Sequence, residues 1–143
     1  KAHVHGSAEV SIAFDKNKGK IVFNSPTEAV YGFEYAPKTK KDKQRKESAL
    51  KKLEESIGKM IVFPESAACE VKKDVIEVNE SGNHADVAAE FNVSCKESPS
   101  GNSVTFNFNQ QFKGLKKVKV EVLVDDIQKS LEVKSSGEKL ELK

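Results

Sequence analysis

Residues 84–95 read H-A-D-V-A-A-E-F-N-V-S-C, with small or apolar residues at every second position. Successive side chains of a β-strand point to opposite faces, so this spacing predicts a strand with one buried face and one polar face. The polar face begins with His84 and Asp86, which would project from the same side. The buried face would carry Ala85, Val87, Ala89, Phe91, Val93 and Cys95.

A partner strand precedes this one. Residues 69–78 are strand-like, and residues 79–83 (N-E-S-G-N) are typical of a tight turn. The two cysteines of the chain, Cys69 and Cys95, each lie in one of these strand-like runs. An even cysteine count without a C-x-x-C motif favours one disulfide between them. Two reduced cysteines packed as small hydrophobes are the alternative, which the sequence leaves open.

The beginning of the chain repeats the alternating pattern. From His3 to Phe14, apolar residues occupy one face, while His3 and His5 lie on the other, polar face. Turn residues follow at 15–19, and Lys20–Asn24 is a second apolar run. The pair predicts an antiparallel hairpin.

One long helix is predicted after Pro37. Thr39 and Asp42 resemble a capping box at its start, and Gly58 is a natural stop. A shorter helical turn is predicted around residues 25–28. The apolar stripe of the long helix is narrow, which suits a helix that lies on a sheet with most of its surface in water. The stripe consists of Ala49, Leu50, Leu53 and Ile57.

The second half of the chain adds further strands. A clear strand is predicted at residues 118–124, and closing strands at 131–134 and 140–142. Residues 104–115 suit either a strand or a helical turn, and their periodicity does not decide between the two. The whole pattern predicts an α+β fold, with a largely antiparallel β-sheet, one main α-helix packed on it and one disulfide. We expect a single domain over residues 1–143.

Charge and composition exclude several classes of function. The 24 basic and 22 acidic residues are interspersed and leave a net charge of +2, which gives no support to nucleic-acid binding. The basic run at residues 38–46 suits a solvated helix face better than a site for phosphate or an acidic partner. The chain has no apolar run long enough to enter a bilayer and no catalytic motif. We therefore expect neither membrane insertion nor an enzyme.

The histidines of the chain are His3, His5 and His84. Together with Asp86 they form two pairs, each on the polar face of a predicted strand. If the two strands lie close together, three imidazoles and a carboxylate converge, which is the ligand number and type of a tetrahedral zinc (Zn2+) site. The alternative is that these are surface histidines without a function.

Several motifs occur together in this chain: A-H-V-H-G at residues 2–6, G-F-E-Y-A-P at 32–37, H-A-D at 84–86, and the two cysteines. In this order they resemble the ZrgA-type periplasmic zinc-binding protein family. The resemblance covers nearly the whole chain. It implies export to the periplasm, with a signal removed near Lys1, and a role in zinc acquisition. It also implies metal ligands at His3, His5, His84 and Asp86.

Two features depart from that family's pattern. Tyr35 stands where the family usually has histidine in G-F-E-H-A-P, so a ligand contributed at this position would be altered. The sequence leaves open whether Glu34 or Tyr35 takes part in the site. Relatives can carry a long histidine-rich insertion just before H-A-D, whereas only residues 79–83 connect the two strands here. We therefore expect at most one or two defined zinc sites rather than high-capacity scavenging.

The sequence thus predicts a non-enzymatic periplasmic zinc-binding protein. Its role would be that of an accessory carrier in zinc uptake or homeostasis, with zinc and a zinc-uptake transporter component as partners. A copper or nickel binder is one alternative, since imidazole suits those metals as well. The other is a disulfide-stapled interaction module whose basic helix docks a partner and whose histidines are incidental.

Overall fold

The computed structural model describes residues 6–143. Its helices are α1 (Thr27–Tyr31), α2 (Lys40–Met60) and α3 (Phe108–Gln111), and a 3-10 turn spans Glu65–Ala67. Its strands are β1 (Ser7–Asp15), β2 (Lys18–Pro26), β3 (Ile61–Val62), β4 (Glu70–Ser81), β5 (His84–Ser94), β6 (Ser103–Phe106), β7 (Lys117–Val124), β8 (Ile127–Val133) and β9 (Glu138–Glu141).

The strands form two sheets. The larger sheet has six strands in the order β4-β5-β2-β1-β7-β8, and β3, β6 and β9 form a smaller one. The predicted hairpins β1–β2 and β4–β5 are confirmed as antiparallel pairs. The prediction of a largely antiparallel sheet with one main helix is confirmed in part: within residues 6–143 six of the seven strand pairings are antiparallel and α2 is the long helix. The prediction differs from the structure in that the strands form two sheets and β1 pairs with β7 in parallel. Alternation specifies which face of a strand is buried, but it contains no information on the direction of a partner distant in sequence.

One face of the six-stranded sheet forms the core. Val10 on β1 lies opposite Phe23 on β2, and Ile21 on β2 lies opposite Phe91 on β5. All four side chains are at most 2% exposed. The small sheet and the helices contribute to the same apolar cluster, so burial of this face is the main source of stability.

The other face of the large sheet is polar and open to solvent. On it the ammonium group of Lys20 lies 2.8 Å from Glu90 Oε1 and 3.5 Å from Asp74 Oδ2. The Glu90 carboxylate holds the pKa of Lys20 above its usual value, and Asp74 acts in the same direction. These groups are exposed, so solvent screens the ion pairs and their contribution to stability is small.

Helix α2 begins as predicted and ends later than predicted. The backbone N–H of Asp42 donates to Thr39 Oγ1 at 3.0 Å, and the Asp42 side chain accepts from the Thr39 N–H, which completes the capping box. Gly58 does not stop the helix, which continues to Met60. Met60 is fully buried, so the extra turn adds apolar contact to the core. Within residues 6–143 no helix combines the length and the apolar composition needed to cross a membrane.

The undecided segment contains both predicted structures in succession. Residues Ser103–Phe106 form strand β6, and helix α3 starts at Phe108. The rings of Phe106 and Phe108 stack with their centroids 5.7 Å apart. The change from strand to helix lies between these two rings, which explains why neither periodicity was satisfied over the whole segment.

The disulfide prediction is confirmed. Cys69 and Cys95 are bonded, and they lie just before β4 and just after β5. The bond therefore closes the β4–β5 hairpin at the end opposite its turn. The Cys95 N–H also donates to the Asn17 carbonyl oxygen at 2.9 Å, which joins this end of the hairpin to the β1–β2 turn.

Gly114 allows the loop before β7 to approach α1 closely. A Cβ atom at this position would overlap the carbonyl oxygen of Ala29 and would lie 2.9 Å from the Ala29 Cα. Backbone atoms cannot move aside as the end of a flexible side chain can. Only glycine therefore fits here without displacing α1 from the loop.

Removing the disulfide should lower stability substantially. The bond closes a loop with a sequence separation of 26, and in the chain-entropy model a loop of this size stabilises the fold by about 3.5 kcal/mol. The Cys69→Ala/Cys95→Ala variant should lose about that free energy of unfolding in urea titrations. Reductant should weaken the parent protein similarly and leave the double variant unchanged. Two alkylatable thiols in non-reduced protein recovered from an oxidising compartment would contradict the bond.

Gly114→Ala should destabilise the fold by about 1–3 kcal/mol, the usual cost of forcing extra volume into a packed site. The matched control is Gly58→Ala on the exposed side of α2, where an added Cβ meets nothing within 4 Å. The control should stabilise the protein by up to about 1 kcal/mol, because alanine favours a helix interior over glycine. Urea unfolding of both variants measures the difference, and equal stabilities would contradict the close approach.

Candidate metal centre

Three strands define one end of the large sheet, which we call the site end. It consists of the start of β1, the end of β2 and the start of β5. Glu9 on β1 lies opposite Asn24 on β2, and Pro26 at the end of β2 lies opposite Asp86 on β5. Because β2 is antiparallel to both neighbours, the N-terminal ends of β1 and β5 flank its C-terminal end.

The start of β5 has the predicted arrangement of faces. Ala85 and Val87 are buried, whereas Asp86 is partly buried and His84 is exposed. The side chain of His84 is 72% exposed. His84 and Asp86 therefore lie on the solvent-facing side of the sheet at the site end, which leaves the imidazole accessible to a metal ion.

The other two predicted ligands, His3 and His5, lie outside the described residues. Gly6, the residue after His5, is held at the site end. Its carbonyl oxygen accepts the backbone N–H groups of Lys116 and Lys117 at 2.9 and 3.0 Å. The convergence of the two histidine pairs stays a prediction, while the position at which the chain enters β1 is fixed by these bonds to the start of β7.

The sequence left open whether Glu34 takes part in the site. Its Oε1 atom lies 3.3 Å from Nδ1 of His84, across a sequence separation of 50 residues. Unlike His84, the Glu34 side chain is only 9% exposed. It comes from the irregular segment between α1 and α2, where no hydrophobic period exists to reveal it. Its place within G-F-E-Y-A-P was the one available signal.

The backbone that precedes Glu34 is anchored. Gly32 ends α1 with a φ of 94°, a left-handed conformation that favours glycine, and its N–H donates to the Glu28 carbonyl oxygen at 2.9 Å. The buried hydroxyl of Thr27 donates to the Phe33 carbonyl oxygen at 2.7 Å. These hydrogen bonds fix the peptide that precedes Glu34.

Three aromatic rings reinforce this segment. The ring of Phe33 packs between those of Tyr31 and Tyr35, with centroid distances of 4.8 and 4.6 Å. Burial raises the pKa of the Tyr31 hydroxyl above its usual value, so this phenol is neutral at physiological pH and is not an anionic ligand. Tyr35 is 47% exposed, and its hydroxyl lies 3.5 Å from Asp42 Oδ1 at the start of α2.

The described residues alone supply part of a metal site. Imidazole nitrogen and carboxylate oxygen are both zinc ligands. Between residues 6 and 143, however, no group of three or more His, Cys, Asp or Glu side chains is placed to hold a metal ion. Glu34 and His84 therefore form a contacting pair, and Asp86 does not complete a three-ligand group with them.

Among known proteins, a family matches this chain over nearly its whole length, whereas no curated protein matches the chain. The sequence pattern of the ZrgA family zinc uptake protein matches residues 2–142, which is nearly the entire sequence. The matched range includes all four predicted ligands, which are His3, His5, His84 and Asp86. The chain belongs to the ZrgA family of zinc uptake proteins.

Proposed function

We propose that this protein is a periplasmic, non-enzymatic zinc carrier that binds Zn2+ as cargo at the site end of the large sheet. His3, His5 and His84 supply three nitrogen ligands, and a carboxylate occupies the fourth position. Asp86 is the residue that the sequence predicts for that position. The main support is the exposure of His84 at the end of the sheet where the chain enters β1.

The spacing of the strands is compatible with a shared site. Neighbouring strands lie about 4.8 Å apart, so β1 and β5 on either side of β2 are separated by about 10 Å. Imidazoles that reach inward from both sides can meet at one ion over such a gap. Beyond Pro26 the chain leaves the sheet as α1, so β2 does not extend between them.

The ligand set suits delivery of the ion. Three neutral imidazoles and one carboxylate leave a zinc complex with a net positive charge, and the carboxylate can be exchanged for water or for a ligand of the receiving protein. A closed site with four thiolates would release zinc much less readily. We therefore propose a component of a zinc-uptake transporter as the partner that receives the ion.

The disulfide supports the proposed compartment. Disulfides persist in oxidising environments such as the bacterial periplasm and are rare in the reducing cytosol. The bond between Cys69 and Cys95 is therefore compatible with a periplasmic protein. Membership of a family of zinc uptake proteins points the same way, because zinc that enters a Gram-negative cell must cross this compartment.

His84→Ala should weaken zinc binding as severely as His3→Ala or His5→Ala. We expect a loss above about 100-fold, because removal of an outer-shell partner alone usually costs roughly 10–100-fold. Asp86→Ala should cost less, since water can fill the vacated position. Isothermal titration with zinc measures each affinity, and elemental analysis of protein recovered from the periplasm identifies the metal that it carries.

The control for the histidine variants is Asn83→Ala, which alters the exposed neighbour of His84 in the hairpin turn. Its affinity should equal that of the parent protein. If His84→Ala also binds zinc with parental affinity, the two histidine pairs do not share an ion and the proposed site is wrong. Because a given nitrogen and oxygen site generally binds copper more tightly than zinc, relative affinity does not identify the cargo. Copper or nickel in place of zinc in protein recovered from the periplasm would reassign it.

Zinc binding should weaken as the pH falls below about 6, because protons compete with the metal for imidazole nitrogens, which ordinarily titrate near pH 6.5. Titrations at a series of pH values measure this, and circular dichroism at each pH verifies that the protein stays folded. Equal affinities at neutral and mildly acidic pH would indicate that carboxylates, rather than imidazoles, hold the ion.

A further inference from the structure

The contact between Glu34 and His84 has the spacing of two ligands of one ion. A charge-assisted hydrogen bond between an imidazole N–H and a carboxylate is normally about 2.7–2.9 Å long. The observed separation of Nδ1 and Oε1 is 3.3 Å. Two ligand atoms that each lie about 2.0–2.1 Å from a tetrahedral zinc ion are about 3.3–3.4 Å apart. The pair therefore fits one edge of a zinc coordination tetrahedron better than it fits a strong hydrogen bond.

The burial of Glu34 points in the same direction. Its side chain is 9% exposed, while the imidazole beside it is 72% exposed. An ionised carboxylate is costly to remove from water unless it is paired with positive charge or coordinates a metal. A zinc ion on the exposed side of the pair would stabilise this carboxylate, and solvent would still reach the ion for exchange.

The backbones that carry the two side chains are held in place by independent parts of the fold. Thr27 and Gly32 fix the backbone that carries Glu34, and the pairing of β5 with β4 carries His84, which lies opposite Ser81. Ligands held by rigid elements bind an ion with little loss of conformational freedom. The arrangement therefore meets the requirement for a preorganised pair.

We infer that Glu34, rather than Asp86, supplies the carboxylate ligand, with Oε1 of Glu34 and Nδ1 of His84 bound to the same zinc ion. This inference rests on the proposed function. Asp86 lies on the same strand face as His84, and Glu34 is the carboxylate that the fold places 3.3 Å from the imidazole. The neutral imidazole then carries its proton on Nε2, which faces away from the ion.

The first test compares carboxylate variants in zinc titrations of the full chain. Glu34→Gln should lower the affinity by more than about 10-fold, since a neutral amide oxygen is a much weaker zinc ligand than a carboxylate. Asp86→Asn should cost less than Glu34→Gln. Glu77→Gln on β4 removes an exposed carboxylate from the neighbouring strand and should leave the affinity unchanged. Thermal unfolding of each variant verifies the fold.

The second test identifies the nitrogen that binds the metal. Long-range proton–nitrogen NMR spectra of the zinc-loaded parent protein distinguish the two ring nitrogens of His84. Zinc on Nδ1 is the expected result. Zinc on Nε2 would mean that Glu34 only orients the ring through Nδ1, which overturns the inference even if Glu34→Gln weakens binding. This measurement uses the parent protein and therefore does not depend on the folding of any variant.

The outcomes separate this inference from the proposed function. If His84→Ala loses zinc affinity while Glu34→Gln keeps it, the role of Glu34 is wrong and the site itself stands. If neither change affects zinc affinity, both the site and the ligand assignment are wrong. Loss of affinity in both variants, with zinc on Nδ1, supports the coordination by Glu34 and His84.

Discussion

The candidate site depends on one constraint, which is the antiparallel pairing of β2 with β1 on one side and with β5 on the other. Each strand alternates buried and solvent-facing side chains, so a slip of one residue in either pairing would reverse the exposed and buried sets. Burial of Phe23 and Phe91 opposes such a slip. The same register brings Asp86 level with the end of β2, and hydrophobic packing thereby sets the position of a polar site.

Much of this arrangement could be predicted from local patterns. Alternation over residues 84–95 identified β5 and its faces, and the Thr39–Asp42 capping box located the start of α2. These features are encoded by neighbours in sequence. The parallel β1–β7 pair is not, because it depends on which distant edge the chain reaches after a long excursion. Gly58 failed as a stop signal because burial of Met60 outweighs the preference of glycine for helix ends.

The same difference between local patterns and distant contacts determined what could be predicted about the candidate site. The shared face of His84 and Asp86 could be predicted because a strand places residues two apart on one face. The participation of Glu34 stayed open because it lies in an irregular segment, where the direction of a side chain depends on tertiary hydrogen bonds rather than on a period. The bond from the Thr27 hydroxyl to the Phe33 carbonyl is such a contact. His3 and His5 lie before the described part of the chain, so their convergence with His84 rests on the sequence and on the anchoring of Gly6.

The disulfide and the candidate metal site lie at opposite ends of β5. Cys95 lies just past the C-terminal end of this strand, and His84 is its first residue. The two residues are eleven positions apart in a strand that rises about 3.3 Å per residue. The covalent link and a bound ion would thus close the same hairpin about 36 Å apart. Formation of the disulfide restricts the unfolded chain, but it does not fix the geometry around the His84 imidazole. Under the proposed function, loading and unloading of zinc at His84 would therefore leave the covalent framework unstrained, and a protein whose disulfide has formed once would pass through many cycles of metal exchange.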